Sequence, residues 1–73
     1  MPIPNPLYAE VLLPFAVGDT FTYEIPPSLS HMVSRGMRVI VPFGKKKLFT
    51  GIVSSLHSQK PTLYTVKPIS SLL

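Results

Sequence analysis

The spacing of proline and glycine constrains this chain more than any other sequence feature. Nine prolines and four glycines interrupt its 73 residues. Proline removes a backbone N–H and clashes with the preceding helical turn, so a long helix has little room between these interruptions. The apolar segments that remain have the length of β-strands. The spacing therefore predicts an all-β domain with at most one short helical turn.

Five segments have strand-like sequences. In residues 20–25 polar and apolar residues alternate, which places Phe21, Tyr23 and Ile25 on one face. Gly51, inside the fourth segment, marks a bulge or a point of close approach. The five segments are residues 8–13, 20–25, 37–41, 48–56 and 63–69. Their spacing predicts a small curled antiparallel sheet or barrel-like domain of five to six strands.

The strand phases also predict a core. They place four side chains inside the sheet, namely Tyr23, Val39, Val41 and Ile52. Residues 28–34 can hold one helical turn, capped by Ser28, with three side chains facing inward, namely Leu29, Met32 and Val33. Residues 57–62 are expected to form a loop, and residues 1–7 an extended proline-rich leader.

The charge balance is basic, with seven Lys and Arg against three Asp and Glu, a net charge of +4 and an isoelectric point near 9.8. Such a balance fits a polyanionic partner, and it equally fits a basic surface with no partner. No apolar run reaches the roughly 18 residues of a membrane span, and the first residues lack the pattern of a secretory signal. The absence of cysteine is compatible with the cytoplasm and excludes disulfides and thiolate metal sites.

The sequence offers little for catalysis. Glu10, Asp19 and Glu24 are its acidic residues, so a pair of catalytic carboxylates is not expected. His31 and His57 lack metal-ligand spacing and are interpreted as ordinary surface or loop residues. Neither a nucleophile elbow nor a phosphate-cradling loop is present. The prediction is a segment that is not an enzyme, with no catalytic residue, no metal site and no cofactor of its own.

Five of the seven cationic residues lie within residues 35–47. A cation cluster in the turn between two strands can contact phosphates, and the flanking Phe43 and Phe49 can stack on bases. Alternatively, the lysines only solvate the turn and Phe43 belongs to the core. Gly44 has two interpretations as well, since it can supply a positive φ for the turn or let the backbone approach a ligand.

Three ordered blocks of sequence resemble a known family. They are residues 21–26 (FTYEIP), residues 36–45 (GMRVIVPFGK) and residues 51–53 (GIV). Together they resemble the N-terminal 3′-end DNA-binding domain of the primosomal replication-restart helicase PriA, over about residues 7–69. The resemblance implies a compact β-domain that recognises the 3′-hydroxyl end of the nascent leading strand at stalled replication forks.

The resemblance also implies the setting of the domain. Residues 1–7 would be a leader, and residues 8–73 the DNA-binding domain of a longer bacterial ATP-dependent DNA helicase, with Leu73 at a truncated end. ATP, Mg²⁺ and Zn²⁺ would belong to the parent helicase. The expected partners are branched DNA forks with a 3′-hydroxyl end and, through the parent, single-strand-binding protein and other primosome proteins. The expected location is the bacterial cytoplasm, at the nucleoid.

The resemblance further implies the residues of a 3′-end pocket, namely Phe21, Thr22, Gly44 and Tyr64. Thr22 stands where the family commonly has an aspartate, so a hydroxyl replaces two acceptor oxygens. Tyr64 aligns with a family lysine, and either Lys60 or Lys67 would take the role of that lysine. The expected phosphate contacts come from five cations, namely Arg38, Lys45, Lys46, Lys47 and Lys67.

Two other functions fit the same residues. An SH3-like or OB-like RNA-binding module would show the same charge and strand pattern. A protein-interaction domain would instead use exposed sheet edges or the apolar region around Phe15 and Phe49. A preference for DNA ends separates the first alternative from the 3′-end domain, and salt-dependent binding of nucleic acid argues against the second.

Overall fold

A computed structural model describes residues 7–16, 18–61 and 65–73. Its elements are six strands, β1 (Tyr8–Leu12), β2 (Thr20–Glu24), β3 (Arg38–Pro42), β4 (Leu48–His57), β5 (Lys67–Pro68) and β6 (Ser71–Leu72), and one turn of 3₁₀ helix at Pro27–Leu29. The prediction of an all-β fold with at most one short helical turn is confirmed. Among the described residues, no helix is long and apolar enough to span a bilayer.

The six strands form one curled sheet in the order β5-β2-β1-β4-β3-β6. β5 runs parallel to β2, and the other neighbouring strands are antiparallel. The C-terminal segment pairs with both edges, because the Ile69 amide donates to the Glu24 carbonyl at 2.9 Å and the Ser70 amide donates to the Ile40 carbonyl at 2.8 Å. Two adjacent residues thus bond to opposite edges, which curls the sheet into a half-barrel and covers its open edges.

The core lies inside this half-barrel. Its largest fully buried side chains come from three strands and the C-terminal segment and are Val11, Val39, Val41, Val53 and Ile69. Tyr23 is also buried, and its hydroxyl donates a 2.7 Å hydrogen bond to the carbonyl of Pro42. This bond joins β2 to the end of β3 across the barrel. The predicted burial of Tyr23, Val39 and Val41 is therefore confirmed.

Gly51 marks a close approach between β4 and β1. A Cβ at this position would clash with the side chain of Val11 and lie 2.8 Å from the carbonyl oxygen of Leu12. The bulge lies further along β4, because Glu10 pairs with Ser55 whereas Val11 pairs with Val53, which leaves Ser54 without a partner position on β1. The expected close approach at Gly51 is confirmed, and the bulge is three residues away.

The bulge explains why the predicted burial of Ile52 is wrong. Phe49, Gly51 and Val53 point inward, and the extra residue Ser54 then shifts the inward phase to Leu56. Ile52 shares the phase of Leu56, so it faces outward ahead of the bulge and is 46% exposed. A continuous apolar run does not reveal such a change of phase.

The helical turn differs from its prediction in two respects. It begins at Pro27 behind Pro26, and Ser28 makes no side-chain cap. Val33 is buried and Leu29 packs against the core, as expected, but Met32 is 55% exposed. The turn is a short 3₁₀ segment, so the spacing expected of an α-helix does not hold.

Two predicted elements have different ends in the structure. His57 is the last residue of β4 rather than part of a loop. The predicted strand over residues 63–69 lies partly outside the described residues, and within the described part Lys67–Pro68 and Ser71–Leu72 form two short strands. Residues 1–6 of the expected leader lie outside the described residues.

Candidate functional site

Two connections meet at one end of the half-barrel. β1 and β3 are both antiparallel to β4, so they run in the same direction. The connection that follows β1 (residues 13–19) and the connection that follows β3 (residues 43–47) therefore lie at the same end. The register of the strands thus places Phe15 next to the lysine-containing turn.

All four phenylalanines of the chain cluster at this end. The ring of Phe15 lies 4.7 Å from that of Phe43 and 5.0 Å from that of Phe49, between ring centroids. The Phe21 ring meets the Phe43 ring edge-on at 5.1 Å. Such tilted contacts are the preferred geometry of aromatic pairs. Phe43 packs against the core from the centre of the cluster, and the cluster fixes the walls of two depressions on either side of it.

The first depression, which we term the Phe21 pocket, has a volume of about 190 Å³. Its lining residues come from β2 and its neighbours, from the end of β3 and from the C-terminal segment, and are Phe21, Thr22, Tyr23, Pro42, Phe43, Gly44, Thr65 and Lys67. The Phe21 pocket is thus a concave site lined by aromatic rings, backbone and one cation.

Gly44 forms part of the wall, and its backbone geometry explains why glycine stands there. Its φ of 72° lies in the left-handed region, which side chains other than glycine rarely adopt. An added Cβ would meet no atom of the described chain within 4 Å, so it would point into open space at the rim. The turn interpretation of Gly44 is therefore confirmed, and the same geometry leaves the wall free of side-chain bulk.

Lys67 is the cation of the Phe21 pocket. Its Nζ lies 3.5 Å from the carbonyl oxygen of Gly44, which is a long contact for a hydrogen bond. An ammonium has three N–H donors, so such a contact leaves donors for an anion. Lys60 is exposed in the loop after β4 and does not line the pocket. Of the two lysines considered for this role, Lys67 is thus the one that reaches the site.

Thr22 borders the Phe21 pocket, but its hydroxyl is engaged elsewhere. It donates a 2.6 Å hydrogen bond to Oε2 of Glu10, whose other oxygen accepts a 2.9 Å bond from Thr20. Nε2 of His57 lies 2.7 Å from the same Oε2, and the His57 ring stacks on Tyr8. The hydroxyl proton of Thr22 is therefore directed to Glu10, across β2 from the inward-facing Phe21 and Tyr23.

The environment of Glu10 favours its ionised form. Partial burial raises the pKa of this carboxyl, but the hydrogen bonds from Thr22, His57 and Thr20 outweigh burial and leave the pKa below its ordinary value. The acidic group is thus an acceptor that ties β1 to β2 and β4. This polar cluster was not expected from the sequence.

The second depression, which we term the Phe15 groove, adjoins the Phe21 pocket and has a volume of about 330 Å³. The two sites share Phe43 and Gly44 as a common wall. Its lining residues are Phe15, Phe43, Gly44, Lys45, Lys47 and Phe49. Phe15 remains 49% exposed at its centre. The groove thus combines exposed aromatic surface with two cations.

The remaining predicted site residues are dispersed. Arg38 is exposed at the far end of β3, about 13 Å along the strand from Pro42 at 3.3 Å per residue. Lys46 is exposed in the turn with a φ of 59° and lines neither depression. Tyr64 lies outside the described residues. Among the described residues, no group of three His, Cys, Asp or Glu side chains is placed to hold a metal ion.

Comparison with known proteins places these features in a family. Residues 10–73 match the model of the PriA 3′ DNA-binding domain (3′BD). The chain is 33% identical over 69 residues to the replication restart protein PriA of Bacillus subtilis (strain 168). That alignment covers 90% of this chain and 9% of the relative, so the chain spans about a tenth of the length of the relative that it matches.

Proposed function

This chain belongs to the family of PriA 3′ DNA-binding domains, and we propose that its Phe21 pocket holds the 3′-terminal nucleotide of a DNA strand. The family supports a DNA-binding role in replication restart. The observation that carries the finer proposal is a pocket of about 190 Å³ in which the rings of Phe21 and Phe43 lie beside one lysine. In this proposal the strand is the nascent leading strand at a stalled fork.

Each wall of the Phe21 pocket has a role in this proposal. The terminal base lies against the rings of Phe21 and Phe43, since every base has a face that stacks on an aromatic ring. Lys67 pairs with the phosphate on the 5′ side of that nucleotide. The backbone of Gly44 lies close to the sugar hydroxyl, because no side chain separates it from the rim.

In this proposal the walls of the Phe21 pocket discriminate between strand ends. A 3′-phosphate or a continuing strand adds volume where the wall leaves room for a hydroxyl. Attraction of the added charge to exposed lysines gains about 0 to 1 kcal/mol. Loss of a hydrogen bond in the pocket, or one buried group left unpaired, costs about 1 to 3 kcal/mol. The second effect is larger, so the 3′-hydroxyl end is expected to bind better.

The role of the domain in a larger protein follows from this binding. It would direct an ATP-dependent helicase to forks that carry a 3′-hydroxyl end, in the cytoplasm and at the nucleoid. ATP, Mg²⁺ and Zn²⁺ would act in other parts of that protein. Contacts with single-strand-binding protein and other primosome proteins would be made through the same parent.

Fluorescence anisotropy tests the proposal with oligonucleotides that are labelled at the 5′ end and differ at the 3′ end. At the midpoints of the ranges for charge attraction and for the lost hydrogen bond, the 3′-hydroxyl strand is expected to bind about tenfold more tightly than the 3′-phosphate strand. Gly44→Val is expected to abolish this preference and to leave most of the salt-dependent binding, since its side chain enters the rim.

Gly36→Val is the matched control, because Gly36 also has a positive φ of 86° with open space around it but does not line the pocket. Both variants introduce the same backbone strain. Equal affinity of the unmutated chain for the two ends would contradict the proposal. An RNA strand bound as tightly as DNA, without regard to its end, would favour the RNA-binding alternative.

A further inference from the structure

The proposed function assigns no role to the Phe15 groove. The groove shares Phe43 and Gly44 with the Phe21 pocket, and its other lining residues do not line that pocket. Phe15 is nevertheless about half exposed, although burial of the whole ring would be favourable. Exposed aromatic surface at a concave site is typical of a ligand-binding site.

The geometry of the groove suits a planar ring. Phe15 packs against both Phe43 and Phe49, whose ring centroids are 6.3 Å from each other, and its ring meets that of Phe49 almost edge-on. These contacts fix the Phe15 ring and leave one part of it facing outward. A ring fixed in advance loses little conformational freedom when a base stacks on it.

The charge at the rim favours a nucleotide over an apolar peptide. Lys45 and Lys47 line the groove together with the aromatic rings. A base on Phe15 would place its phosphate near these two ammonium groups, whereas an apolar segment that covered the groove would desolvate the charges without pairing them. Aromatic rings next to cations are the composition of sites for single strands.

The distance between the two sites matches successive nucleotides of one strand. The ring centroids of Phe21 and Phe15 are 6.4 Å apart. Neighbouring phosphates of a stacked strand advance by about 3.4 Å, and an unstacked strand spans more. One strand can therefore enter both sites without a gap.

We infer that the Phe15 groove is a second nucleotide subsite, which stacks the base of the penultimate nucleotide on Phe15 and places its phosphate between Lys45 and Lys47. The position of this base in the strand rests on the proposed function of the Phe21 pocket. The subsite binds by stacking and charge, so it accepts every base.

The test uses an oligothymidine with a free 3′-hydroxyl and a single abasic site. An abasic site at the penultimate position is expected to weaken binding of the unmutated chain about tenfold, within the range for the loss of one stacked base. An abasic site near the 5′ end is the control strand and is expected to change little. An abasic 3′-terminal position is also expected to weaken binding, through the Phe21 pocket. No loss at the penultimate position, or an equal loss at internal positions further from the 3′ end, would overturn the inference.

Variants at position 15 identify the residue that carries the effect. Phe15→Leu retains apolar volume and removes the aromatic face, so it is expected to bind the intact strand about tenfold more weakly and to be insensitive to the penultimate abasic site. Phe15→Tyr retains the ring and is expected to restore both properties. Ile52→Leu, on the outer face of β4, is the control substitution and is expected to leave binding unchanged.

The outcomes separate this inference from the proposed function. Phe15→Leu is expected to retain the preference for a 3′-hydroxyl over a 3′-phosphate, because Phe15 does not line the Phe21 pocket and Leu retains apolar volume against Phe43. Loss of that preference would show that Phe15 serves the terminal pocket and would overturn a second subsite. If the unmutated chain showed no preference for the 3′ end but remained sensitive to one abasic site, the terminal pocket would fail while a stacking groove remained. Full affinity of Phe15→Leu for every strand would overturn the inference and would favour a protein partner for the groove.

Discussion

The lysine turn allows a prediction that separates charge at the binding site from charge in general. Lys45 and Lys47 line the Phe15 groove, whereas Lys46 lies between them in sequence and lines neither depression. The three residues carry the same charge and lie in the same exposed turn. Removal of Lys46 therefore serves as a control for the loss of charge alone.

The magnitude follows from counterion release. Each phosphate contact with a single strand contributes about 0.7 to the slope of log affinity against log salt. The double variant K45A/K47A is thus expected to make the slope shallower by about 1.4. Between about 50 and 200 mM salt, a fourfold change, the unmutated chain would lose about sevenfold more affinity than the double variant.

Lys46→Gly is expected to change the slope by less than the value of about 0.7 that one phosphate contact contributes. Glycine also adopts the positive φ of 59° at that position without strain. The assay is fluorescence anisotropy with one labelled strand over a series of salt concentrations. The account is refuted if Lys46→Gly reduces the slope as much as the double variant does, or if the double variant leaves the slope unchanged. In the second case the lysines only solvate the turn.

Two further predictions concern stability. Gly51→Ala is expected to lower the free energy of unfolding by about 1 to 3 kcal/mol and the melting temperature by about 4–8 °C per kcal/mol, because its Cβ would overlap Val11 and crowd the Leu12 carbonyl. The control Thr50→Ala, on the exposed face of the same strand, should change the free energy of unfolding by no more than about 0.5 kcal/mol. Equal melting temperatures for the two variants would disprove the close approach. Glu10→Gln is expected to destabilise the chain at neutral pH. Because the pKa of Glu10 is lowered in the folded chain, the stability that its carboxylate contributes should be present above about pH 4.5 and disappear as the pH falls through the folded pKa. Urea unfolding at stepped pH measures this, and a stability difference between the two chains that persists at low pH would contradict it.

The sequence predicts the fold well where proline or glycine marks the end of a strand, or where polar and apolar residues alternate clearly. Strand β2 alternates, follows the turn signal at Gly18 and Asp19 and ends before Pro26, so the sequence predicts its span to within one residue and the burial of Tyr23. In β4 the run from Leu48 to Leu56 mixes apolar residues of both faces, and the bulge at Ser54 changes the inward phase. Ile52 was misplaced for this reason, since a bulge depends on pairing with β1 and not on the local sequence.

The candidate site divides in the same way. Gly44 and the lysine turn stand out in the sequence because glycine, cations and aromatic residues are close together at residues 43–49, whereas Phe21 is implied only by the family resemblance. Phe15 was considered only as part of an apolar region, since its place beside Phe43 depends on two connections that meet in space. The position of Lys67 at the pocket also depends on the C-terminal segment, which pairs with both edges of the sheet.

The polar cluster around Glu10 illustrates why sequence distance conceals a contact. Glu10 pairs with Thr22 across β1 and β2, and His57 reaches it from β4. Each residue taken alone is typical of an exposed strand position or a loop. The strand register brings them together, and register is set by the core on the opposite face of the sheet.

The most direct test of the central claim is a map of amide chemical shifts when a deoxydinucleotide with a free 3′-hydroxyl is added to the chain. We expect the largest shifts in residues 21–23, 43–44 and 65–67, around the Phe21 pocket, with further shifts at residues 15, 45, 47 and 49 of the Phe15 groove and little change on the outer face at Ile52 and Arg38. The same dinucleotide with a 3′-phosphate should produce much smaller shifts at the same concentration. Shifts centred on the outer face, or equal maps for the two ends, would contradict recognition of the 3′ end by this pocket.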